Sequence, residues 1–433
     1  MIKKVVFILT VYTVSPGDSL FTIAGRFGTT PARLAADNGI PAGAALVVGE
    51  SLVISSPALT YTVRAGDTLL SVARAFGVSI DQLWRNNPEL GGKSDISAGQ
   101  VLTISLEPPS LGPLSTNGYA YPYIDEDVLR ATLPYLTYLT PFSYGIKEDG
   151  TLLDLDDERM IELAREYGVA PIMLISTLAE DGLFSSERAS LILRDISLQT
   201  ALIDDIIATA RQKGYTGIDV DFEYVPPEDR ENYITFIENL RAAASPYGYE
   251  VWVALAPKTS ADQPGLLYEA HDYAGLGAAS DAVLLMTYEW GYTYGPPMAV
   301  APLNKVRDVL DYAVTEIPPY KIFMGIPNYG YDWTLPFVSG GSRARSLSNL
   351  DAVRIARERR AVIEFDSVAA SPYFYYYDGP TQHVVWFEDA RSIDAKARTV
   401  AEYGFRGGTV WNIMRFFPGL WVVMNSLFSI RKI

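Results

Sequence analysis

Eight short apolar runs alternate with helical stretches over residues 118–425, and this alternation constrains the fold more than any other feature of the sequence. Strands that alternate with helices form a parallel sheet, and eight such strands close into a barrel. The sequence therefore predicts an α/β fold, a (β/α)₈ TIM barrel. The predicted strands are Tyr119–Ile124, Tyr135–Ser143, Ala170–Ser176, Gly217–Glu223, Glu250–Ala256, Ala282–Tyr288, Lys321–Ile326 and Gly408–Asn412.

One segment, at about residues 335–389, breaks the alternation and carries several short aromatic-rich runs. We predict that it forms a small α+β insertion between the seventh strand and the last helix. The predicted helices of the barrel are Asp157–Tyr167, Ser186–Lys213, Arg230–Ser245, Asn304–Ala313 and Ser392–Tyr403.

The fourth predicted strand carries an acidic residue at every second position, namely Asp219, Asp221 and Glu223. Side chains alternate between the two faces of a strand, so these carboxylates share one face and the apolar residues between them share the other. In a barrel the apolar face packs under the helices, which places the carboxylates in the lumen and towards its C-terminal mouth. Because confined carboxylates cannot all ionise, at least one pKa should be raised, as a general acid requires.

The first hundred residues contain an internal repeat. Residues 12–20 recur 49 residues later as residues 61–69, and both copies read Tyr-Thr-Val-x-x-Gly-Asp-[Ser/Thr]-Leu. The same offset maps Asn38 onto Asn87. Apolar residues at helical spacing follow each opening, and a second helix and a closing strand complete a β-α-α-β unit. The two predicted modules span residues 11–56 and 60–106.

The Gly-Asp-[Ser/Thr] turn of each module has an interpretation that needs no ligand. Side-chain oxygens of Asp18 and Ser19, or of Asp67 and Thr68, can cap the helix that follows by accepting its unpaired amide hydrogens. Such a cap contributes about 1 kcal/mol of stability. Beyond the second module, residues 107–117 contain three prolines and are predicted to form a stiff linker to the barrel domain.

The N-terminal segment Met1 to Val11 has the basic start and apolar run of a signal peptide, but no small-x-small cleavage site follows it. We favour the alternative that this segment is a tail on the first strand. No other run approaches the ~18 apolar residues of a membrane span.

The composition excludes several kinds of catalytic and binding site. The chain has no cysteine and only two histidines, His271 and His383, which excludes disulfides, thiol nucleophiles and multi-histidine metal sites. The net charge of −16 makes binding to nucleic acid through phosphate neutralisation unfavourable. The repeats are nearly neutral, so the negative charge lies on the larger domain. What remains abundant is carboxylate and aromatic side chains, which suit carbohydrate chemistry and equally suit an ordinary acidic surface over an aromatic core.

Each repeat, with its Y-T-V-x-x-G-D-[ST]-L opening, resembles a LysM domain, a module that binds N-acetylglucosamine-containing glycans. The resemblance implies a shallow glycan groove between the Gly-Asp-[Ser/Thr] turn and the segment after the repeated asparagine. The implied glycan-binding residues are Gly17, Asp18, Ser19 and Asn38 in the first module and Gly66, Asp67, Thr68 and Asn87 in the second.

Residues 216–223 resemble the D-x-x-D-x-D-x-E signature of glycoside hydrolase family 18, with Thr216 in place of the first aspartate. Met286-Thr287-Tyr288 resembles the sixth-strand motif of that family, Gly325-Ile326-Pro327-x-Tyr329-Gly330 resembles the seventh, and Trp411 matches the tryptophan at the end of the eighth. The pairing with two LysM-like repeats is similar to the branch that contains spore-germination and cortex-lytic N-acetylglucosaminidases.

The family resemblance implies substrate-assisted retaining catalysis, in which the substrate's own 2-acetamido oxygen attacks the anomeric carbon. It implies that Glu223 is the acid/base, that Asp221 orients the acetamido group, and that Asp219 shares a proton with Asp221. Tyr288 would hydrogen-bond the acetamido oxygen. For Tyr288 and Trp411, core packing is the alternative, because aromatic residues near barrel strands usually fill space. The residues implied in substrate binding are Trp411, Tyr329, Met286, Glu289 and Tyr119.

The sequence is therefore interpreted as a peptidoglycan-binding glycosidase that cleaves N-acetylglucosaminyl bonds in spore cortex or cell wall. We expect a monomer in the spore or cell envelope that needs no metal or cofactor and binds peptidoglycan or chitin-type glycan, without nucleic acid. Two alternatives stay open. One is a non-catalytic glycan-binding envelope protein, against which the intact carboxylates argue, and the other is a chitinase that acts on chitooligosaccharides.

Overall fold

The computed structural model of the chain describes residues 9–109 and 111–433. Each N-terminal repeat folds as a strand, two helices and a second strand, and its two strands pair antiparallel. The first repeat comprises β1 (Thr10–Thr13), α1 (Leu20–Phe27), α2 (Pro31–Asn38) and β2 (Ser51–Ile54). The second comprises β3 (Pro57–Thr62), α3 (Leu69–Phe76), α4 (Ile80–Asn86) and β4 (Val101–Leu106).

Seven parallel strands follow, each joined to the next through at least one helix. These strands are β5 (Pro113–Ala120), β6 (Tyr138–Pro141), β7 (Ala170–Ser176), β8 (Gly217–Asp221), β9 (Glu250–Leu255), β10 (Ala282–Leu285) and β11 (Ile322–Pro327). The helices between them are α5 (Glu126–Thr132), α6 (Glu158–Glu166), α7 (Ser186–Arg194), α8 (Ile196–Lys213), α9 (Arg230–Ala244), α10 (Tyr273–Ala279) and α11 (Leu303–Glu316).

An antiparallel subdomain is inserted after β11, and its five strands cover one helix. It comprises β12 (Gly330–Thr334), β13 (Arg345–Leu347), α12 (Asn349–Arg359), β14 (Glu364–Asp366), β15 (Ser371–Asp378) and β16 (Thr381–Trp386). The insertion therefore begins at Gly330, a few residues before its predicted start at about residue 335.

The chain then returns to the barrel and closes it. After α13 (Ala390–Glu402), strand β17 (Gly407–Trp411) pairs with both β11 and β5, which makes a closed barrel of eight parallel strands. Helix α14 (Pro418–Leu427) and a short strand β18 (Ser429–Ile430) end the chain. The predicted (β/α)₈ fold is confirmed. Within the described residues, no helix is both long enough and apolar enough to cross a bilayer.

At the N-terminal ends of the strands, the barrel lumen is filled by aromatic side chains around one arginine. The Arg406 guanidinium lies 5.3–5.9 Å from the ring centroids of Tyr138, Trp252 and Phe323. Its Nη2 donates to Glu250 at 2.7 Å and to the Tyr138 hydroxyl at 2.9 Å. Because this end is closed, the lumen opens only at the C-terminal ends of the strands, where barrel active sites lie.

Both repeats pack against the barrel domain, and α14 lies between them. Helix α14 contacts α2 of the first repeat, α4 of the second and α13 of the barrel. Its buried residues include Leu420, Trp421, Val423 and Leu427. A helix that is apolar on all sides is stable only when it is covered on all sides. The two repeats therefore form part of the cover of the barrel's last helix.

Hydrogen bonds to main-chain carbonyl groups of the repeats hold each repeat in place. The Ile363 N–H donates to the Val48 carbonyl at 2.9 Å, and Arg391 Nη2 donates to the Gly49 carbonyl at 3.1 Å. In the second repeat, the Tyr167 hydroxyl donates to the Gly92 carbonyl at 2.7 Å. These contacts fix the orientation of both repeats relative to the barrel.

A matched pair of glycines tests this docking. Gly49 and Gly99 occupy equivalent positions in the two repeats, with φ of 86° and 89°. A Cβ at Gly49 would lie 1.8 Å from the Ile363 carbonyl oxygen, whereas at Gly99 it would meet no heavy atom within 4 Å. Both alanine variants carry the left-handed backbone cost of about 1–3 kcal/mol. We expect Gly49→Ala to lose about 1–3 kcal/mol more through overpacking.

Urea denaturation of the two glycine variants measures this difference, and limited proteolysis reports whether the first repeat is released. Equal loss of stability and equal protease resistance in Gly49→Ala and Gly99→Ala would contradict the docked arrangement.

Two sequence predictions need correction in the fold. The first strand of the barrel begins at Pro113, inside the predicted linker 107–117 and before the predicted strand Tyr119–Ile124, because proline is tolerated as the first residue of a strand. The predicted helix Ser186–Lys213 is two helices, since the Asp195 carboxylate caps α8 by accepting from the amides of Ser197 and Leu198. The N-terminal segment Met1 to Val11, which we interpreted as a tail on the first strand, lies mostly outside the described residues, and its last two residues belong to β1.

Candidate active site

Strand β8 sorts its side chains by their chemistry. Asp219 and Asp221 are buried on the lumen face, while Ile218, Val220 and Phe222 pack in the apolar layer under the helices. Glu223 lies two residues beyond the last strand residue and lines the mouth of the lumen. Thr216 lies before the strand, where its hydroxyl donates to the Pro171 carbonyl at 3.0 Å. Thr216, which stands in place of the first aspartate of the signature, therefore lies far from the mouth and outside the lumen.

All three carboxyl groups hold a proton more tightly than usual. Burial raises the pKa of Asp219 to about 6. Burial, followed by the neighbouring charges of Glu223 and Asp219, raises the pKa of Asp221 well above its ordinary value. Burial and then the charge of Glu289 raise the pKa of Glu223 to about 7. The site therefore holds a carboxyl group that is protonated at near-neutral pH and able to donate to a substrate oxygen.

Tyr119 fixes the innermost carboxylate. Its hydroxyl donates to Asp219 Oδ2 at 2.5 Å, and this hydrogen bond opposes the effect of burial on the pKa of Asp219. The other oxygen of Asp219 and one oxygen of Asp221 are buried without a hydrogen-bond partner. Unpaired buried carboxylate oxygens are costly when ionised, so burial favours the protonated form of both groups.

A cavity of about 680 Å³ opens above these carboxylates at the C-terminal ends of the strands. Such a volume lies within the range of about 300–1,000 Å³ that is typical of ligand-binding clefts. The predicted site residues that line the cavity are Tyr119, Asp221, Glu223, Met286, Tyr288, Glu289 and Trp411. Asp219 lies below the floor, behind Tyr119.

Trp411, at the end of β17, is held by a set of aromatic rings. Its centroid lies 5.1 Å from that of Phe142, 5.7 Å from Tyr119 and 6.2 Å from Tyr121, each in an edge-to-face arrangement. Tyr121 in turn stacks on the exposed Tyr123 at 5.3 Å. The indole is thus fixed as one wall of the cavity, and the aromatic surface continues outward from it.

Tyr288 and Glu289 line the cavity beyond the end of β10. Burial and the charges of Asp221 and Glu223 raise the pKa of Tyr288 well above its ordinary value, so its hydroxyl remains a donor. The Glu289 carboxylate accepts hydrogen bonds from Tyr329 and Tyr331. Glu289 also has a left-handed backbone with φ of 67°, which is uncommon for a residue with a side chain. Tyr329 does not line the cavity but supports Glu289 from behind, and its contact with substrate stays a prediction.

Replacing Glu289 tests its effect on the proposed acid. The charge of Glu289 raises the pKa of Glu223, so Glu289→Gln should lower that pKa. An acid must be protonated to act, and activity is lost as pH rises through its pKa. We therefore expect the alkaline limb of the kcat profile to lie near pH 7 in the wild type and at lower pH in Glu289→Gln. A pH–rate profile between pH 4 and 9 measures both limbs, and an unmoved or raised alkaline limb would contradict the assignment.

Several cavity residues were not predicted from the sequence. For two of them the sequence does carry a signal, an aromatic residue directly after a barrel strand, since Tyr121 follows β5 and Phe142 follows β6. The unpredicted lining residues with aromatic side chains are Tyr121, Phe142, Phe184, Tyr268 and Trp290.

In the two repeats, the Gly-Asp-[Ser/Thr] turns are stabilised internally. Ser19 and Thr68 cap their helices with reciprocal capping boxes, as predicted. Asp18 and Asp67 are not caps, which corrects the prediction. Asp18 Oδ2 accepts from the Tyr12 hydroxyl at 2.6 Å and from the Ser15 amide at 2.8 Å, and the second repeat does the same. The tyrosine hydroxyl is the main cause that lowers the pKa of Asp18. The turns themselves remain exposed at Gly17 and Gly66.

The repeated asparagines bind main-chain groups within their own repeats. The Asn38 amide is buried, accepts from the Val53 amide at 2.7 Å and donates to the carbonyls of Leu34 and Val53 at 2.8 Å. Asn87 makes the equivalent three hydrogen bonds in the second repeat. Main-chain groups occupy these amides, so Asn38 and Asn87 join a helix to a strand, and their predicted glycan contact would need other atoms of the two residues.

Comparison with known proteins agrees with this geometry. The family model described as glycosyl hydrolases family 18 matches residues 182–415, and the LysM domain model matches residues 12–55 and 61–105. The chain is 39% identical over 431 residues to the cortical fragment-lytic enzyme of Bacillus subtilis strain 168, covering 98% of this chain and 99% of that protein.

Solved structures give the same result. The Bacillus cereus spore cortex-lytic enzyme SleL superposes with a TM-score of 0.84 at 38% identity, and the match covers 98% of this chain and 99% of that one. A chitinase from Chromobacterium violaceum superposes with a TM-score of 0.68 at 26% identity, over 72% of this chain and 98% of that one.

Proposed function

The chain belongs to glycosyl hydrolase family 18 and carries two LysM domains, and from this premise we propose that it cleaves N-acetylglucosaminyl bonds in the peptidoglycan of the spore cortex. The observation that carries the proposal is Glu223, a carboxyl group with its pKa raised to about 7, at the mouth of a cavity large enough for a glycan chain. The choice of cortex as substrate is supported by the similarity over nearly the full length to enzymes named for that activity.

In the proposed reaction, Glu223 protonates the oxygen of the bond to be cleaved. The substrate's 2-acetamido oxygen attacks the anomeric carbon as that bond breaks, which gives a cyclic, positively charged oxazolinium intermediate. The same Glu223, now ionised, takes a proton from the water that opens the intermediate. The configuration at the anomeric carbon is retained because two inversions take place.

The other carboxylate and the aromatic residues hold the substrate in this mechanism. Asp221 orients the acetamido group and stabilises the positive charge that develops on it. Asp219 receives a shared proton when Asp221 ionises, and Tyr119 holds Asp219 in place. Tyr288 donates a hydrogen bond to the acetamido oxygen, and Trp411 forms the apolar surface under the sugar.

The two LysM domains are proposed to keep the enzyme on its polymer. The exposed turns containing Gly17, Asp18 and Ser19, and Gly66, Asp67 and Thr68, are the proposed glycan contacts. Attachment raises the local concentration of cleavable bonds, so a modest affinity per domain is sufficient. We place the enzyme in the spore or cell envelope and expect it to act as a monomer, with modules at residues 11–56 and 60–106 and the catalytic barrel beyond them.

A second candidate function is a chitinase that acts on chitooligosaccharides. The observation that favours it is the superposition on the Chromobacterium violaceum chitinase. Turnover of spore cortex fragments, vegetative peptidoglycan and chitooligosaccharides by the same preparation separates the two functions. We expect the highest kcat/KM on cortex fragments, and a higher kcat/KM on chitooligosaccharides would favour the chitinase.

A further inference from the structure

His271 is a buried histidine behind the site, and the reaction proposed above does not use it. The hydrogen-bonded ladder between β8 and β9 ends at Val220 and Val253. Asp221, Phe222 and Glu223 therefore lie beyond the last pair of that ladder. Without another partner, the Phe222 carbonyl between the two carboxylates would be a buried acceptor with no strand to bond.

The imidazole of His271 fills this gap between the two strands. Its Nε2 lies 3.0 Å from the Phe222 carbonyl oxygen, and its Nδ1 accepts from the Ala256 N–H at 2.9 Å. Because the Ala256 amide can only donate, Nδ1 carries the lone pair and Nε2 carries the proton. The ring therefore continues the β8–β9 pairing as a side-chain bridge between Phe222 and Ala256, which lie two and three residues past the last main-chain pair.

This bridge requires a neutral imidazole. A proton on Nδ1 would point at the Ala256 N–H and break that hydrogen bond. Burial lowers the pKa of His271 to about 4, and the nearby Lys258 acts in the same direction. The bridge is therefore intact at the near-neutral pH at which Glu223 holds its proton.

The surroundings hold the histidine and the Phe222 peptide from both sides. Lys258 Nζ donates to the His271 carbonyl at 3.1 Å, and the Tyr273 hydroxyl donates to the Ala256 carbonyl at 2.6 Å. The Phe222 ring stacks between Tyr233 and Phe236, with centroids 5.6 and 5.4 Å away. Stacking fixes the side chain of Phe222, and His271 fixes its carbonyl.

We propose that His271 is a positioning residue, which holds the Phe222 peptide so that Asp221 and Glu223 act on the same glycosidic bond. The inference rests on the proposed function, because it assigns those two carboxylates to one reaction. A displacement of about 1 Å in a catalytic group can cost about 10²-fold in rate. Loss of the bridge should therefore lower kcat about 10–100-fold, while KM changes little because His271 does not touch the cavity.

His271→Leu removes both hydrogen bonds and keeps most of the bulk. The matched control is His383→Leu, which makes the same change at the chain's other histidine, in the insertion beside Asp332. We expect His271→Leu to lose kcat and to move the alkaline limb of its pH profile, and His383→Leu to keep both at wild-type values. Wild-type kcat and an unmoved pH profile in a folded His271→Leu protein would overturn the inference.

A second pair of variants keeps the test decisive if His271→Leu does not fold. A glutamine amide reaches the position of Nε2 and keeps the donor to the Phe222 carbonyl, whereas an asparagine amide reaches only the position of Nδ1. We expect His271→Gln to retain more kcat than His271→Asn. Equal values, or the reverse order, would overturn the inference.

A measurement that needs no turnover separates this inference from the proposed function. Carboxyl-carbon NMR titration follows Glu223 directly, and we expect the titration to change in His271→Gln less than in His271→Asn. If the wild-type protein cleaves no glycan but the two variants show this ordering, the proposed function alone is overturned. If the wild-type protein cleaves cortex fragments but Glu223 titrates identically in the two variants, the inference alone is overturned.

Discussion

The Glu223→Gln variant is expected to lose about 10²–10⁴-fold in kcat on cortex fragments, which is the usual contribution of general acid–base catalysis. Glutamine keeps the shape of the side chain but has no proton to give to the leaving oxygen. KM should change little, because the cavity wall is otherwise intact. Steady-state kinetics with reducing-end detection measures both parameters.

The control for this variant is Glu231→Gln, the same chemical change at an exposed position on α9. It should keep wild-type kcat, because the side chain is remote from the cavity. A Glu223→Gln protein that is folded and retains more than about one tenth of wild-type kcat would exclude Glu223 as the acid, since that loss is smaller than the contribution of an acid.

The Asp221→Asn variant is expected to lose about 10²–10³-fold in kcat, because an amide does not stabilise the positive charge of the oxazolinium intermediate. Asp221 is buried, and the charge of Glu223 adds to burial in raising the pKa of Asp221 well above its ordinary value.

An activated substrate distinguishes the roles of the two residues. A dinitrophenyl glycoside of an N-acetylglucosamine oligomer has a leaving group that departs without protonation, so it needs no acid to form the intermediate. Glu223→Gln should recover much of the lost rate of the first step with this substrate, measured as the burst of dinitrophenolate. Asp221→Asn should not recover, because the acetamido group must still attack. Recovery of both variants, or of neither, would contradict the assigned roles.

The period-two pattern of β8 was sufficient to predict the lumen face of the site. An alternating strand has only two ways to face a barrel, and the apolar residues exclude one of them. The barrel was predictable for the same reason, since each strand and helix carries its own periodicity. Local pattern fails where an element is covered on every side. Helix α14 is mostly apolar and begins with Pro418-Gly419, so its sequence shows no clear helical face, and it is stable because the two repeats cover it.

The contacts that support the site residues could not be predicted from the sequence, for a different reason. His271 lies 49 residues from the Phe222 carbonyl that it binds, and Tyr329 lies 40 residues from Glu289. No local spacing encodes such contacts, because they depend on how the loops return over the barrel mouth. The repeated asparagines have a structural reason to recur. Asn38 and Asn87 recur because the same helix-to-strand connection recurs, and the glycan contact that the LysM resemblance implies for them stays a prediction.

The docked repeats affect how the enzyme can work on its polymer. Contacts at Gly49 and Gly92 fix each LysM domain against the barrel. The Gly-Asp-[Ser/Thr] turns that we propose to bind glycan therefore keep a fixed direction relative to the cavity. A rigid arrangement selects bonds at a fixed distance from the bound segment, whereas a flexible tether would let the barrel reach many. The Gly49→Ala variant should therefore alter the distribution of product lengths as well as stability.

Mass spectrometry of the products released from purified spore cortex tests both the cleaved bond and the role of Glu223. We expect fragments that end in a reducing N-acetylglucosamine, released by the wild type and by Glu231→Gln but not by Glu223→Gln. Fragments that end in a reducing or anhydro muramic residue, or equal release by Glu223→Gln, would contradict it.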